Sequence, residues 1–287
     1  MRVRTLTDTV GAEIEGVRLD RLDDTLFDAI LAALDRHGGV LFRDQSLEPA
    51  DLVAFSRRFG ELDHAPVMEN GRTAVEDWPE IYIVSNVLDA DGKPIGSLGA
   101  GEAVWHTDMS YLENPPDFSM LYAIEVPASG GDTWLSSMAA AHDNLPGELR
   151  ERIADLSIKH DGTFNSGGYL RQGVREDSNP ATSVGQPHPV ICAHPRTGRP
   201  VLYLGRRRNA YVMGLELEAS ETLLDRLWEH ATRPELAYAH RWRPGDLLLW
   251  DNRATMHRRD PFDPEARRVM QRTQVRGHGA PRPAAET

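Results

Sequence analysis

Short apolar runs separated by Gly, Pro, Asn and Ser dominate the chain, and this pattern is typical of many short β-strands. Alternation of apolar and polar residues from Val10 to Leu19 predicts short strands near the start. Two strands are expected between Phe118 and Trp134, divided by the turn-forming run 127–131. The other predicted strands cover 40–42, 81–84, 189–193, 201–204, 246–250 and 269–276.

Helical periodicity predicts five helices between these strands. In the first, Leu26, Ile30, Leu31 and Leu34 form one apolar stripe, with Asp23-Asp24 as the cap and Gly38-Gly39 as the stop. The other predicted helices cover 47–59, 137–145, 146–156 and 220–232. Early helices followed by mixed strands and helices favour an α+β fold, in which the sheet folds on itself into a sandwich or jelly roll with helices outside.

Two segments lack periodicity. Asp161–Pro187 is rich in Gly, Ser and Asn, and unstructured loops longer than about 12–15 residues are usually lids, binding loops or disordered insertions. We expect a lid over a pocket, with a flexible insertion as the alternative. Gly277–Thr287 is expected to be a disordered tail. No internal repeat is evident, so residues 1–287 are predicted to form a single domain.

Composition excludes several classes of protein. The 32 basic and 44 acidic residues give a net charge of −12, which argues against a nucleic-acid partner. No apolar run reaches the roughly 18 residues of a membrane span, and Met1–Asp8 lacks the apolar stretch of a secretory signal, so a cytoplasmic protein is expected. The single cysteine, Cys192, cannot form an internal disulfide or a thiolate cluster. Any metal site must therefore use histidine and carboxylate.

His106-Thr107-Asp108 is the sharpest local motif. On an extended segment, His106 and Asp108 would point to the same face, because side chains repeat every two residues. The motif alone is weak, and the alternative is a surface histidine beside an acid. A further histidine, His257, follows the buried-looking strand 246–250. Two histidines and one carboxylate form the facial triad of non-haem Fe(II) oxygenases, although zinc also accepts such ligands.

Two arginines follow on one predicted strand face. Arg268 and Arg272 share a face, while Arg267 lies on the other. Buried guanidinium groups are costly unless each meets an anion, and they suit bidentate binding of carboxylate, sulfonate or phosphate. A dicarboxylate cosubstrate and an anionic substrate would use both. The alternative is a solvated edge strand, which we favour for Arg267 and, without the triad, also for Arg272.

These motifs together resemble the TauD/TfdA family of Fe(II)- and 2-oxoglutarate-dependent dioxygenases, from about Leu6 to Gly277. The resemblance rests on His106-Thr107-Asp108, Gly130-Gly131-Asp132-Thr133, Trp250-Asp251-Asn252-Arg253 with His257, and Arg268 with Arg272. It implies a double-stranded β-helix (jelly roll) with flanking helices. It further implies iron bound by His106, Asp108 and His257, 2-oxoglutarate bound by Thr133 and Arg268, and substrate bound by Arg272.

Two departures from the family pattern bear on the substrate. The taurine enzymes contact the sulfonate with a histidine, whereas here the nearest histidine, His64, sits one position early, and such a slip reverses side-chain direction on an extended segment. Glu102 stands where those enzymes have asparagine, and its carboxylate would repel a sulfonate but attract an ammonium group. We therefore expect the substrate to be a small organic acid other than taurine, with His64 and Glu102 as candidate contacts.

The predicted function is dioxygenation of this acid, which would consume O2 and release succinate and CO2. Hydroxylation beside a heteroatom would collapse to C–S or C–O cleavage. The resemblance also implies a homo-oligomer, either a dimer or a tetramer. The alternatives are a metal-dependent hydrolase or isomerase on the same jelly-roll fold, and a non-catalytic sensor of 2-oxoglutarate.

Overall fold

The structure is a computed structural model that describes residues 1–65, 75, 77–101 and 103–285. The α-helices are α1 (Asp24–His37), α2 (Pro49–Arg57), α3 (Met138–Asp143), α4 (Gly147–Ile153) and α5 (Leu217–Ala231). The strands are β1 (Arg2–Thr5), β2 (Ala12–Glu15), β3 (Gly39–Phe42), β4 (Tyr82–Ser85), β5 (Ser97–Leu98), β6 (Ala103–His106), β7 (Phe118–Glu125), β8 (Thr133–Ser137), β9 (Ser157–Asp161), β10 (Gly185–Pro189), β11 (Ile191–Ala193), β12 (Pro200–Leu202), β13 (Tyr211–Val212), β14 (Ala237–His240), β15 (Leu247–Asp251), β16 (Thr255–Arg259), β17 (Val269–Val275) and β18 (Arg282–Pro283).

Two sheets contain most of these strands. The larger has the order β1-β2-β3-β15-β7-β17-β4-β5, and the second has the order β14-β8-β16-β6. Pairing is antiparallel except between β2 and β3 and between β4 and β5. Two three-stranded sheets, β10-β9-β13 and β12-β11-β18, complete the fold. The mixed fold is therefore mostly sheet with few helices, which agrees with the predicted α+β class.

The two faces of the large sheet have different neighbours. On β15, Leu247 and Leu249 belong to an apolar cluster that includes Ile30 of α1 and Leu52 of α2. On the opposite face, Leu248 and Trp250 cluster with Leu135 of β8 in the second sheet, among other residues. Because both faces are covered, β15 reads in the sequence as an uninterrupted apolar run. One face of the large sheet thus packs on helices and the other on the four-stranded sheet.

The first helix forms as the sequence predicts. The carboxylate of Asp23 accepts a hydrogen bond from the backbone N–H of Leu26 at 2.8 Å, which caps the N-terminus. Gly38 ends the helix with φ +69°, a conformation that favours glycine.

Nowhere in the described ranges is a helix both long and apolar enough to cross a membrane.

Two irregular segments differ from the sequence expectation. The loop between β9 and β10 spans 162–184, shorter than predicted, because both strands extend into the polar stretch. The segment expected to be a disordered tail contains β18, which pairs with β11, and Ala284 donates a backbone hydrogen bond to Ile191. Backbone pairing of this kind needs no apolar pattern, so the composition of 277–285 did not predict it.

Candidate metal centre and anion pocket

Two neighbouring strands position the two histidines of the candidate metal centre. His106 ends β6 and lies opposite His257 in the antiparallel register of β16, and their rings are 4.1 Å apart between centroids. The Nδ1 of His106 lies 2.7 Å from the carbonyl oxygen of Val104. Since a carbonyl only accepts, Nδ1 carries the hydrogen and Nε2 keeps its lone pair for a metal.

Asp108 completes the group from a turn that follows β6. Its Oδ1 lies 3.7 Å from Nε2 of His106, and its Oδ2 lies 3.8 Å from Nε2 of His257. One ligand atom from each of the three buried residues lies within 4.8 Å of the others. The strand ends at His106, so the extended segment on which the two side chains would share a face does not reach Asp108. The turn nevertheless brings both side chains to one point.

A buried hydroxyl holds the carboxylate of Asp108 in place. Ser119 donates to Oδ2 of Asp108 at 2.8 Å and accepts from Nδ2 of Asn252 at 3.0 Å and from Nε2 of Gln274 at 3.1 Å. Asn252 in turn accepts from Nε1 of Trp250 at 3.0 Å. The hydroxyl of Ser119 thus uses its one hydrogen and both lone pairs, which fixes its orientation.

Electrostatics keep all three side chains in the form that binds a metal. Burial would raise the pKa of Asp108, but Arg272 and the two imidazoles outweigh it and hold the pKa below its usual range. Burial lowers the pKa of His257 to about 4 and holds that of His106 well below its ordinary value. Metal binding requires an ionised carboxylate and neutral imidazoles, and both conditions are met near neutral pH.

A cavity lined by His106 and His257 is also lined by Arg268, whose charge is unmatched among the described residues. The residue is 1% exposed, and none of its three guanidinium nitrogens has a hydrogen-bond partner among the described residues. Burial, followed by the charge of Arg259, lowers its pKa to about 9. Thr133 also lines the cavity, and its Oγ1 accepts from Nε1 of Trp242 at 3.0 Å, so its own hydrogen points elsewhere. A buried guanidinium and a hydroxyl donor that line one cavity are suited to a carboxylate.

The remaining candidate residues are placed less uniformly. Arg272 lines the cavity, where its Nη1 donates to Oδ1 of Asp108 at 3.2 Å. Arg267 is exposed and paired with Glu125, as expected for an arginine on the solvated side of the strand. His64 is exposed, and it is not one of the described residues that line this cavity. The candidate contact at position 102 lies outside the described residues.

Sequence patterns did not reveal three residues around the site. Ser119 is a single serine within an apolar strand, and Gln274 belongs to no recognisable sequence motif, so neither residue was indicated as part of the site. Arg259 lines the cavity and donates to the backbone oxygens of Leu98 and Gly101. Its position two residues after His257, on the same side of β16, was the one available signal.

The buried group consists of two histidines and one carboxylate, and the arginine in the same cavity has no hydrogen-bond partner among the described residues. This arrangement fits the non-haem iron enzymes, in which two histidines and one carboxylate occupy one face of the metal's coordination sphere. The chain belongs to the family described as taurine catabolism dioxygenase TauD, TfdA family, whose model matches residues 2–274. Enzymes of this family use Fe(II) and 2-oxoglutarate, and this chain is a dioxygenase of that kind.

Known relatives are similar over nearly the whole chain. Pentalenolactone F synthase of Streptomyces avermitilis is 33% identical over 282 residues, which cover 92% of this chain and 90% of that protein. The alpha-ketoglutarate-dependent 2,4-dichlorophenoxyacetate dioxygenase of Cupriavidus pinatubonensis is 34% identical, covering 91% and 93%. The crystal structure of AAD-2 in complex with Mn(II) and N-oxalylglycine matches with a TM-score of 0.77 and 29% identity, covering 97% of this chain and 98% of that one.

Proposed function

We propose that this enzyme couples the oxidation of a small organic acid by O2 to the decarboxylation of 2-oxoglutarate, releasing succinate and CO2. Insertion of oxygen hydroxylates the substrate, and beside a heteroatom the product breaks at a C–S or C–O bond. The observation that carries the proposal is Arg268, a buried guanidinium without a partner among the described residues, in the cavity that contains His106 and His257. A dicarboxylate cosubstrate supplies the missing anion.

In this proposal His106, Asp108 and His257 hold the iron. The bound iron and 2-oxoglutarate supply the oxygen activation and the removal of a substrate hydrogen. Arg268 and Thr133 hold the distal carboxylate of 2-oxoglutarate, which fixes its orientation toward the metal centre. Ser119 keeps Asp108 in one rotamer, and the positive charge of Arg272 attracts an anionic substrate to the same cavity.

We further infer that the large sheet and the four-stranded sheet form the jelly-roll core. Side chains from both line the cavity, including Leu121 and Arg272 from one sheet and Thr133 and His257 from the other. The loop 162–184 is proposed as the lid. Its contribution to the cavity wall is Ser166, whose carbonyl oxygen accepts from the backbone N–H of Val104 in β6 at 3.2 Å. A closed loop there would exclude water from the oxidation.

The proposal is tested by loading the protein with Fe(II) without oxygen, adding 2-oxoglutarate and air, and measuring succinate across a panel of small organic acids. The panel includes phenoxyacetates, because a relative acts on 2,4-dichlorophenoxyacetate. We expect one or more acids to stimulate succinate formation, and His106→Ala and Asp108→Ala to abolish it. His142→Ala, a partly buried histidine outside the cavity, is the matched control.

The hydrolase or isomerase alternative predicts a different outcome. Product would form from the acid without 2-oxoglutarate and without consumption of O2, and zinc would support the reaction. Arg268 counts against it, since neither reaction requires a dicarboxylate cosubstrate. Turnover independent of 2-oxoglutarate would contradict the proposed function.

A further inference from the structure

A second buried arginine, Arg206, lies close to the metal-binding segment on the side of the 162–184 loop. The carbonyl oxygen of the preceding residue, Gly205, accepts from the backbone N–H of Thr107 at 3.0 Å. Thr107 stands between His106 and Asp108, so the chain at Arg206 packs directly on this segment. Arg206 is only 5% exposed.

The charge of Arg206 has no matching carboxylate at ion-pair distance among the described residues. Its Nη1 donates to the carbonyl oxygen of Phe164, while its Nε has no partner in this part of the chain. Burial lowers its pKa to about 10 and the charge of Arg171 lowers it too, whereas Asp161 and Asp108 oppose the shift. A buried guanidinium held mainly by one neutral carbonyl is poorly compensated, as expected where an anionic ligand is to bind.

Two further arginines converge on the same stretch of loop. Nε of Arg171 donates to the carbonyl oxygen of Phe164 at 3.2 Å, and the guanidinium of Arg208 lies 3.4 Å from the centroid of the Phe164 ring. Nη1 of Arg208 also donates to the carbonyl oxygen of Gly168 at 3.1 Å. We call Arg171, Arg206 and Arg208 the loop arginine cluster. The cluster concentrates positive charge at 164–168, a stretch that includes Ser166 of the cavity wall. The chain as a whole has a net charge of −12.

Two other arginines near Arg206, in sequence or at the metal centre, are compensated by carboxylates. Arg207 is paired with Glu221 at 2.7 Å and with Asp225 at 2.8 Å on α5. Arg272, within the cavity, already donates to Asp108. Arg272 therefore shares its charge with a proposed iron ligand, whereas Arg206 is not within ion-pair distance of a carboxylate among the described residues.

We propose that Arg206, assisted by Arg171, is the principal contact of the substrate's acidic group, at the inner end of the 162–184 loop. The ligand class is a monoanionic oxyacid, such as a carboxylate, sulfonate or sulfate ester, which matches the fork of donors of a guanidinium. Binding there places the acidic end of the substrate beside the His106–Asp108 segment. Because Arg206 and Arg171 both hold Phe164, the same anion also ties the loop to the occupied site. This inference rests on the proposed function.

The test is calorimetric titration of the protein loaded with Mn(II) and 2-oxoglutarate without oxygen, so that no turnover occurs. The probes are phenoxyacetate, phenyl sulfate and methanesulfonate, with phenol as the neutral control. We expect one or more of the anions to bind, and Arg206→Gln to weaken that binding by at least about tenfold, as for loss of a charge-assisted hydrogen bond. Arg206→Lys should recover part of the affinity, and the neighbouring Arg207→Gln should leave it unchanged.

The possible failures are distinguishable. If the protein binds neither Mn(II) nor 2-oxoglutarate, the proposed function is wrong and this inference falls with it. If both bind but no anion does, or a folded Arg206→Gln variant binds the anion with wild-type affinity, the inference alone is overturned. Should Arg206→Gln fail to fold, as judged by circular dichroism, unchanged affinity in both Arg206→Lys and Arg171→Gln overturns it.

Discussion

The hydroxyl of Ser119 donates to Oδ2 of Asp108 at 2.8 Å, from a strand in the middle of the large sheet. Ser119 is fully buried, and Asn252 and Gln274 occupy both of its lone pairs. The carboxylate of the candidate metal centre is thereby anchored to a central strand of the large sheet, although Asp108 itself lies in a turn.

Removing this anchor should weaken metal binding more than it weakens folding. We expect Ser119→Ala to lower Fe(II) affinity by about 10–100-fold, the usual effect of losing a hydrogen bond to a metal ligand. Metal titration under anaerobic conditions measures the change. Ser56→Ala, which removes another buried hydroxyl on α2, should leave the affinity unaltered, and equal losses in both variants would show that Ser119 has no particular role at the metal.

Truncation of the buried arginine should affect the cosubstrate selectively. Arg268→Ala removes the charge proposed to bind the distal carboxylate of 2-oxoglutarate, so its KM should rise at least about 30-fold, equivalent to roughly 2 kcal/mol or more. Steady-state succinate assays at varied 2-oxoglutarate measure this effect. The adjacent Arg267→Ala removes an exposed arginine and should not change that KM. A KM unaltered by Arg268→Ala contradicts the assigned role.

Thr133 provides a finer test of the same subsite. Thr133→Val keeps the shape of the side chain but removes the hydroxyl, and the KM for 2-oxoglutarate should rise by about 3–10-fold, as for one hydrogen bond. Thr133→Ser should restore most of the lost affinity. Metal affinity should be the same in both variants, and a fall in metal affinity instead would indicate that Thr133 acts on the metal centre.

The metal-free protein should lose stability in mild acid because it buries neutral imidazoles. His160 is fully buried and its ring stacks on Tyr203 at 5.1 Å; burial, followed by the charge of His188, holds its pKa well below the ordinary value. Below about pH 6.5 the unfolded chain takes up a proton there that the folded chain does not. The free energy of unfolding therefore decreases as the pH is lowered from about 6.5, until the pKa of His160 in the folded state is reached.

Replacing that imidazole should flatten this dependence. We expect His160→Gln to show a shallower slope of unfolding free energy between about pH 6.5 and 5, measured by urea unfolding at several pH values. Because His160→Gln alters a packed position, we expect it to lower the free energy of unfolding at every pH, whereas the difference in slope between the variant and the wild type reports the proton at His160. A slope identical to that of the wild type would rule out the burial of neutral His160 as a cause.

Elements with strong local sequence signals were predicted correctly from the sequence. The stripe Leu26, Ile30 and Leu34 between Asp23 and Gly38 specified α1 almost to the residue, because capping and periodicity agree there. The apolar run before Asp251 specified β15. At the candidate site, spacing and residue type indicated the two histidines and the carboxylate that the structure brings together.

What the sequence did not reveal depends on contacts between distant segments. Strand β14 lacks a clear alternating pattern and forms by pairing with β8. Ser119 and Gln274 are 155 positions apart and meet only because β7 and β17 are neighbours in the large sheet. Arg206 belongs to a run of three arginines whose charges look equivalent in the sequence, whereas in the structure Arg206 is buried and Arg207 pairs with two acids of α5.

The central claim is that one cavity holds the metal on three side chains and 2-oxoglutarate on Arg268. It is tested most directly by anomalous diffraction from crystals grown anaerobically with Mn(II) and 2-oxoglutarate. We predict a metal peak about 2.0–2.3 Å from Nε2 of His106, Nε2 of His257 and one carboxylate oxygen of Asp108, with the distal carboxylate of 2-oxoglutarate on Arg268. A metal bound by other residues, or a distal carboxylate away from Arg268, would contradict the claim.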